Sequence, residues 1–144
     1  MTVCVETVNR TDLQRLAEER IEEAEFLLIA TKYSGAYYLT GYAIEFALKA
    51  CIAKLTNKHD FYDLAIAKEC FTHKPNVLVK LAGLRPKLDA DMAVDLDLEA
   101  NWAIACAWTE ASRYEFHTRD EAETFFEAVR NPAHGVLPWI RTHW

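Results

Sequence analysis

Glycine and proline are scarce in this chain, four of each in 144 residues. Those residues punctuate turns, so the short strands and tight hairpins of a β fold are not expected. The apolar residues recur at helical spacing over long segments, and an all-α fold follows. Cysteine is sparse and unpatterned: Cys4, Cys51, Cys70 and Cys106 form no C-x-x-C. Three of them sit in apolar surroundings where a reduced thiol acts as a small hydrophobe, so all four are read as free thiols of a reducing cytoplasm. The N-terminus, Met1-Thr-Val-Cys-Val-Glu, lacks the basic and apolar regions of a signal peptide, and no run reaches the roughly 18 uncharged apolar residues of a membrane span. A cytoplasmic protein without membrane contact is the expectation. Also missing are a P-loop, a dinucleotide-binding glycine motif, a serine-hydrolase elbow, a zinc pattern and any Glu-x-x-His. No metal and no organic cofactor is expected.

What is present is core material. Half the residues are apolar, 51%, with four Trp, six Tyr and seven Phe. That suffices for one domain, 1–144, to bury a core without staples. Its centre is the stretch from Tyr33 to Leu55, the longest apolar run and the predicted central helix. Tyr37, Ile44, Leu48, Cys51 and Leu55 recur at near-helical spacing, while Ala36, Ala43, Ala47 and Ala50 keep other sides small. Within this apolar helix Tyr38, Tyr42, Glu45 and Lys49 fall on one face. Two readings stand: an i,i+4 ion pair at the rim of the core, or a stripe that faces a ligand or partner. Gly41 among them costs about 1 kcal/mol against alanine, which points to close contact with another backbone.

The remaining elements follow in order. Residues 1–10 read as a lead segment, and Thr11 with Gln14 has the spacing of a capping box for a first helix over 12–31. Ser34-Gly35 predicts a tight connection, making the first two helices an antiparallel hairpin. Residues 58–75 read as a loop with a short helical turn over 64–70. Asn76 is the expected N-cap of a third helix through Val77, Leu78, Leu81 and Leu84, which Arg85-Pro86 stops. The acidic run Asp89, Asp91, Asp95, Asp97, Glu99 lacks the central glycine of a calcium loop and is expected to be a loop leading into a fourth helix over 98–114. Asp120 opens a fifth. Asn131-Pro132 is either an N-cap with a following proline or a plain break, and residues 132–144 form a short closing segment docked by Trp139, Ile140 and Trp144.

Charge is unevenly placed. Net charge is −6, yet residues 1–48 carry eight acids and four bases, 49–87 three acids and eight bases, and 88–144 eleven acids and four bases. The basic middle block suits a phosphate-bearing partner, or it is a set of solvated points. General duplex binding is disfavoured by the overall acidity.

The run Tyr33-Ser-Gly-Ala-Tyr-Tyr-Leu-Thr-Gly-Tyr-Ala-Ile-Glu45-Phe-Ala-Leu-Lys49-Ala resembles the second helix of HEPN (higher eukaryotes and prokaryotes nucleotide-binding) domains. Thr72-His73 with Leu78 and Leu81, Arg113-Tyr114, and Ala122 with Ala128 are similar to later features of that family. The resemblance implies an antiparallel bundle of four or five helices that forms a homodimer, with Tyr38, Tyr42, Glu45, Lys49, His73 and Tyr114 as candidate ligand-binding residues. It implies three functions: a nucleotide- or RNA-phosphate-binding module, possible partner of a minimal nucleotidyltransferase in a toxin–antitoxin or stress system; a metal-independent endoribonuclease; or a structural dimerisation scaffold. Family ribonucleases pair an Arg, which forks onto phosphate, with a downstream His that moves a proton. The candidates here are Arg113 with His117 and Arg130 with His134. Both gaps hold three residues, shorter than the family spacing, and one residue turns a helical side chain by about 100°. Arg113-Tyr114 is more similar to the non-catalytic branch that accompanies nucleotidyltransferases.

Overall fold

The computed structural model describes residues 8–58 and 71–144, with side chains from 56 to 58 left aside. The short turn expected over 64–70, Cys4, Cys70 and most of the lead segment lie outside those residues. Seven α-helices and one 3-10 turn are described, with no strand among the described residues: α1 Arg10–Ile29, α2 Tyr33–Lys58, α3 Pro75–Leu81, α4 Arg85–Val94, α5 Leu96–Cys106, the 3-10 turn Glu110–Tyr114, α6 Arg119–Arg130 and α7 Val136–Arg141.

α1 begins two residues earlier than the Thr11–Gln14 spacing suggests. Asn9 Oδ1 accepts from the Asp12 amide at 2.9 Å while Asp12 accepts from the Asn9 amide at 3.1 Å, a complete capping box. At its other end Lys32 N donates to Leu27 O and Thr31 N to Leu28 O, the Schellman pattern. The left-handed position there is Thr31, φ 62°, a β-branched residue where glycine is usual. The chain so reversed lays α1 antiparallel along α2, as the sequence predicts. Ala17 and Ala24 of α1 and Ala36, Ala43 and Ala47 of α2 are fully buried, which brings the two axes together.

α2 is the hub: α1, α3, α6, α7 and the 3-10 turn all pack on it. The close contact expected at Gly41 exists, but its partner is a ring rather than a backbone. A Cβ at residue 41 would stand 1.9 Å from the Trp108 indole, itself 2% exposed. That contact explains a second difference. The helix expected over 98–114 ends at Cys106, and the chain leaves helical geometry so that Trp108 lies on α2; the 3-10 turn follows.

Proline sets two other boundaries. Pro75 opens α3 from the N-cap Lys74, and Asn76, instead of capping, accepts from Arg85 Nη1 at 3.0 Å and Trp102 Nε1 at 3.1 Å. Pro86, read as a stop, lies in the first turn of α4, where its missing N–H costs nothing. The acidic run is therefore helical. Asp89 and Asp91 pair with Arg85 and Lys87 one turn back, and Asp95 caps α5 by accepting from Leu98 N at 3.0 Å. Thr118 caps α6, one residue before the expected start. Asn131 is a break, its Oδ1 accepting from the Ala133 and His134 amides. The closing segment docks through buried Val136, Leu137 and Ile140, through Trp139 donating to Asp91 at 2.8 Å, and through Arg141 bidentate on Glu18 at 2.6 and 2.7 Å.

Gly41→Ala is expected to lower stability by about 2 kcal/mol or more, since the overpacking cost exceeds the roughly 1 kcal/mol of helix propensity gained. Urea unfolding checks this; an unchanged or raised midpoint would contradict the seating of Trp108.

Candidate functional site

The four polar residues of α2 form a continuous row. Its middle member, Glu45, is 3% exposed, a carboxylate that burial would penalise heavily if it stood alone. Each of its oxygens has a partner. Oε2 lies 3.3 Å from Lys49 Nζ, and Oε1 meets His73 Nδ1. His73 comes from the extended stretch before α3, held in place by the buried Pro75. Toward the N-terminus the Tyr38 and Tyr42 hydroxyls stand 3.4 Å apart, long for a hydrogen bond. Tyr42 also meets Trp108 edge-on at 5.2 Å and His73 at 6.1 Å.

Burial first, then the neighbouring Tyr38 hydroxyl and the Glu45 carboxylate, push the Tyr42 phenol well above its ordinary value. Tyr42 is thus a neutral hydroxyl at any physiological pH. The opposing influence on it is the Arg113 guanidinium, carried on the 3-10 turn that packs against α2. Arg113 lies on the 3-10 turn, over the Tyr114 ring at 4.7 Å, and the buried Ser112 beside it fixes the turn. Three separate stretches therefore bring Tyr38, Tyr42, Glu45, Lys49, His73, Arg113 and Tyr114 into one neighbourhood. Lys49 and Arg113 outweigh Glu45, leaving the group positive whatever the state of His73, and the tyrosines add neutral hydroxyls. Such a surface can hold an anion.

The two Arg/His candidates are not brought together within the chain. His117, 9% exposed, stacks on Tyr37 with ring centroids 3.7 Å apart. Its Nδ1 meets Glu121 at 2.8 Å, its Nε2 lies 3.2 Å from Glu115 without the alignment of a hydrogen bond, and its amide donates to Ser34 Oγ at 2.9 Å. The ring is a clip between α2 and α6. Arg130 reaches back to Glu25 of α1 at 2.9 Å and lies over Phe126. His134, beyond the Asn131 break, binds Asp95 at 2.9 Å. Each member is engaged by a carboxylate or ring of its own.

His134 also lies 3.9 Å from Asp97, and with Asp95 these three hold ligating atoms within 4.8 Å of one another. Theirs is the arrangement among the described residues that could take a cation, beside a groove of about 220 Å³ lined in part by Pro132, Trp139 and Thr142. Asp95 is already committed, one oxygen to the α5 cap and one to His134. Burial pushes the Cys51 and Cys106 thiols up to about 11, so both are unreactive.

Helical spacing and the family pattern mark the α2 row, His73 and Arg113 as candidates in the sequence. Trp108 as the wall of the row and Asp95 as the partner of His134 go unmarked there, both long-range contacts without a local signal.

A single-chain bundle of helices around a long, largely buried central helix that carries a polar row defines an all-helical class. The family model of the HEPN domain matches residues 11–132, and the chain belongs to that family of nucleotide-binding and ribonuclease-like modules. Comparison with curated proteins finds no match, nor does comparison with solved structures. Among the described residues no helix is long and apolar enough to cross a membrane.

The Asp95–His134 pair makes a pH prediction. Its hydrogen bond to Asp95 raises His134 above the ordinary 6.5, the same bond lowers Asp95 below 3.8, and burial lowers His143 below 6.5. The support from His134 is full below the ordinary His value and lost as pH rises through its raised one. That from Asp95 is full above the ordinary Asp value and lost as pH falls through its lowered one. Imidazole ¹⁵N titration should find His134 titrating above 6.5 and His143 below, with Asp95→Asn bringing His134 down; coincident curves would contradict the pairing.

Proposed function

We propose that this chain is a non-catalytic HEPN binding module that holds a phosphate of a nucleotide or of RNA on the α2 row. Lys49 and Arg113 neutralise the phosphate, Tyr38 and Tyr42 donate hydrogen bonds, and Glu45 with His73 keeps Lys49 in place. The carrying observation is the convergence of α2, the His73 stretch and the 3-10 turn on one positive patch around a buried, fully paired carboxylate. Support for binding over cleavage comes from the Arg/His candidates, each held by other groups. In this reading the module works as a homodimer beside a minimal nucleotidyltransferase, as the Arg113-Tyr114 ending implies, in a toxin–antitoxin or stress system in the cytoplasm.

Fluorescence anisotropy with a 5′-labelled single-stranded oligouridylate tests it. Lys49→Gln and Arg113→Gln should each weaken binding on the order of tenfold, the loss of one charge-assisted contact, and each should flatten the salt dependence by about 0.7 in log–log slope. The same RNA incubated in EDTA should stay intact. Cleavage that disappears in His117→Ala or His134→Ala would overturn the non-catalytic reading in favour of the ribonuclease, and binding indifferent to Lys49 and Arg113 would remove the row from the site.

A further inference from the structure

Next to Arg113 the chain exposes what a folded protein normally hides. Tyr114 is 77% and Phe116 98% exposed, and Phe71, two residues before His73, is 79% exposed. A fully exposed Phe forgoes about 2 kcal/mol of burial. Such exposure in a floppy tail would mean little, but this segment is fixed at both ends. Ser112 is buried, Glu115 N donates to Ser112 O at 3.1 Å, and His117 is clamped by Tyr37, Glu121 and Ser34. Residues 113–117 therefore run along the first turns of α2 as a fixed edge, with Phe116 projecting into solvent. Arg113 covers one face of Tyr114 at 4.7 Å. Tyr114 as a whole stays 77% exposed.

Rigid aromatic rings beside a cation, presented without an ordering cost, are what a planar ring stacks on. We infer that Tyr114 and Phe116 are a stacking subsite for an unstacked nucleobase whose phosphate sits on the α2 row. The inference rests on the phosphate-binding reading and narrows it: the ligand is single-stranded RNA or a free nucleotide, since bases within a duplex have no open face. The positive charge of Lys49 and Arg113 favours that occupant over an apolar protein surface, because a phosphate-linked base satisfies ring and cation together.

The test uses the full chain and anisotropy, with labelled single-stranded oligouridylate, a duplex of equal length, and UTP and tripolyphosphate as competitors. Phe116 touches nothing that holds the fold, so Phe116→Ser should fold normally. It should weaken oligouridylate on the order of tenfold or more, leave tripolyphosphate competition unchanged, and be rescued by Phe116→Trp; the duplex should bind weakly throughout. UTP competing as well as the oligonucleotide assigns the base to a free nucleotide, and a tighter oligonucleotide assigns it to RNA; both support the subsite. Oligouridylate binding unchanged in Phe116→Ser, or equal affinity for duplex, overturns the subsite while leaving the phosphate reading intact. Failure of every probe, tripolyphosphate included, removes both. A dimer that dissociates in Phe116→Ser with ligand affinity unchanged overturns the inference and makes the edge an interface between copies.

Discussion

A carboxylate inside the bundle is the constraint around which this molecule is arranged. Glu45 is almost wholly removed from water in the middle of the helix that most other elements touch. Desolvating it is tolerable only because both oxygens are met, one by Lys49 a turn further along the same helix and one by His73 from a distant stretch. The first partner is built into α2 by sequence spacing. The second requires α3 to begin where it does, so the placement of Pro75 and the path of the chain into α3 follow from the needs of one side chain.

The other wall of the row is steric. Gly41 leaves a gap into which Trp108 settles, and this ends α5 short of the longer helix expected there. The interruption sets the 3-10 turn against α2 and so brings Arg113 within electrostatic reach of Tyr42. A void one methyl wide thus decides which cation faces the row. The His117 clip performs the matching task at the other end of the same loop, tying it to Ser34 and Tyr37. A histidine with Nδ1 bonded to Glu121 and one face stacked on Tyr37 is suited to holding a segment still.

Much of this was legible in the sequence where the signal was local. The Ser34-Gly35 connection indicated the α1–α2 hairpin, and the 3.6-residue period the shared face of Tyr38, Tyr42, Glu45 and Lys49. The family pattern added His73 and Arg113. Boundaries fared less well, because each was decided by a choice between equally good local options. Asn9 out-competes Thr11 as a cap, Pro86 starts a helix as readily as it ends one, and the acidic run becomes helical once Arg85 and Lys87 pair with it. The Arg130–His134 pair shows the limit most clearly. Nothing near those residues indicates that Glu25 and Asp95, more than a hundred and nearly forty positions away, would claim them separately.

Energetic coupling between Glu45 and His73 is what holds the α2 row together. A double-mutant cycle of Glu45→Gln and His73→Gln, read by urea unfolding at constant pH, measures it most directly. A coupling of about 1–3 kcal/mol is expected, with the double variant much less destabilised than the two single losses added. Additive losses would show that the two side chains are neighbours without being partners, and would contradict the account.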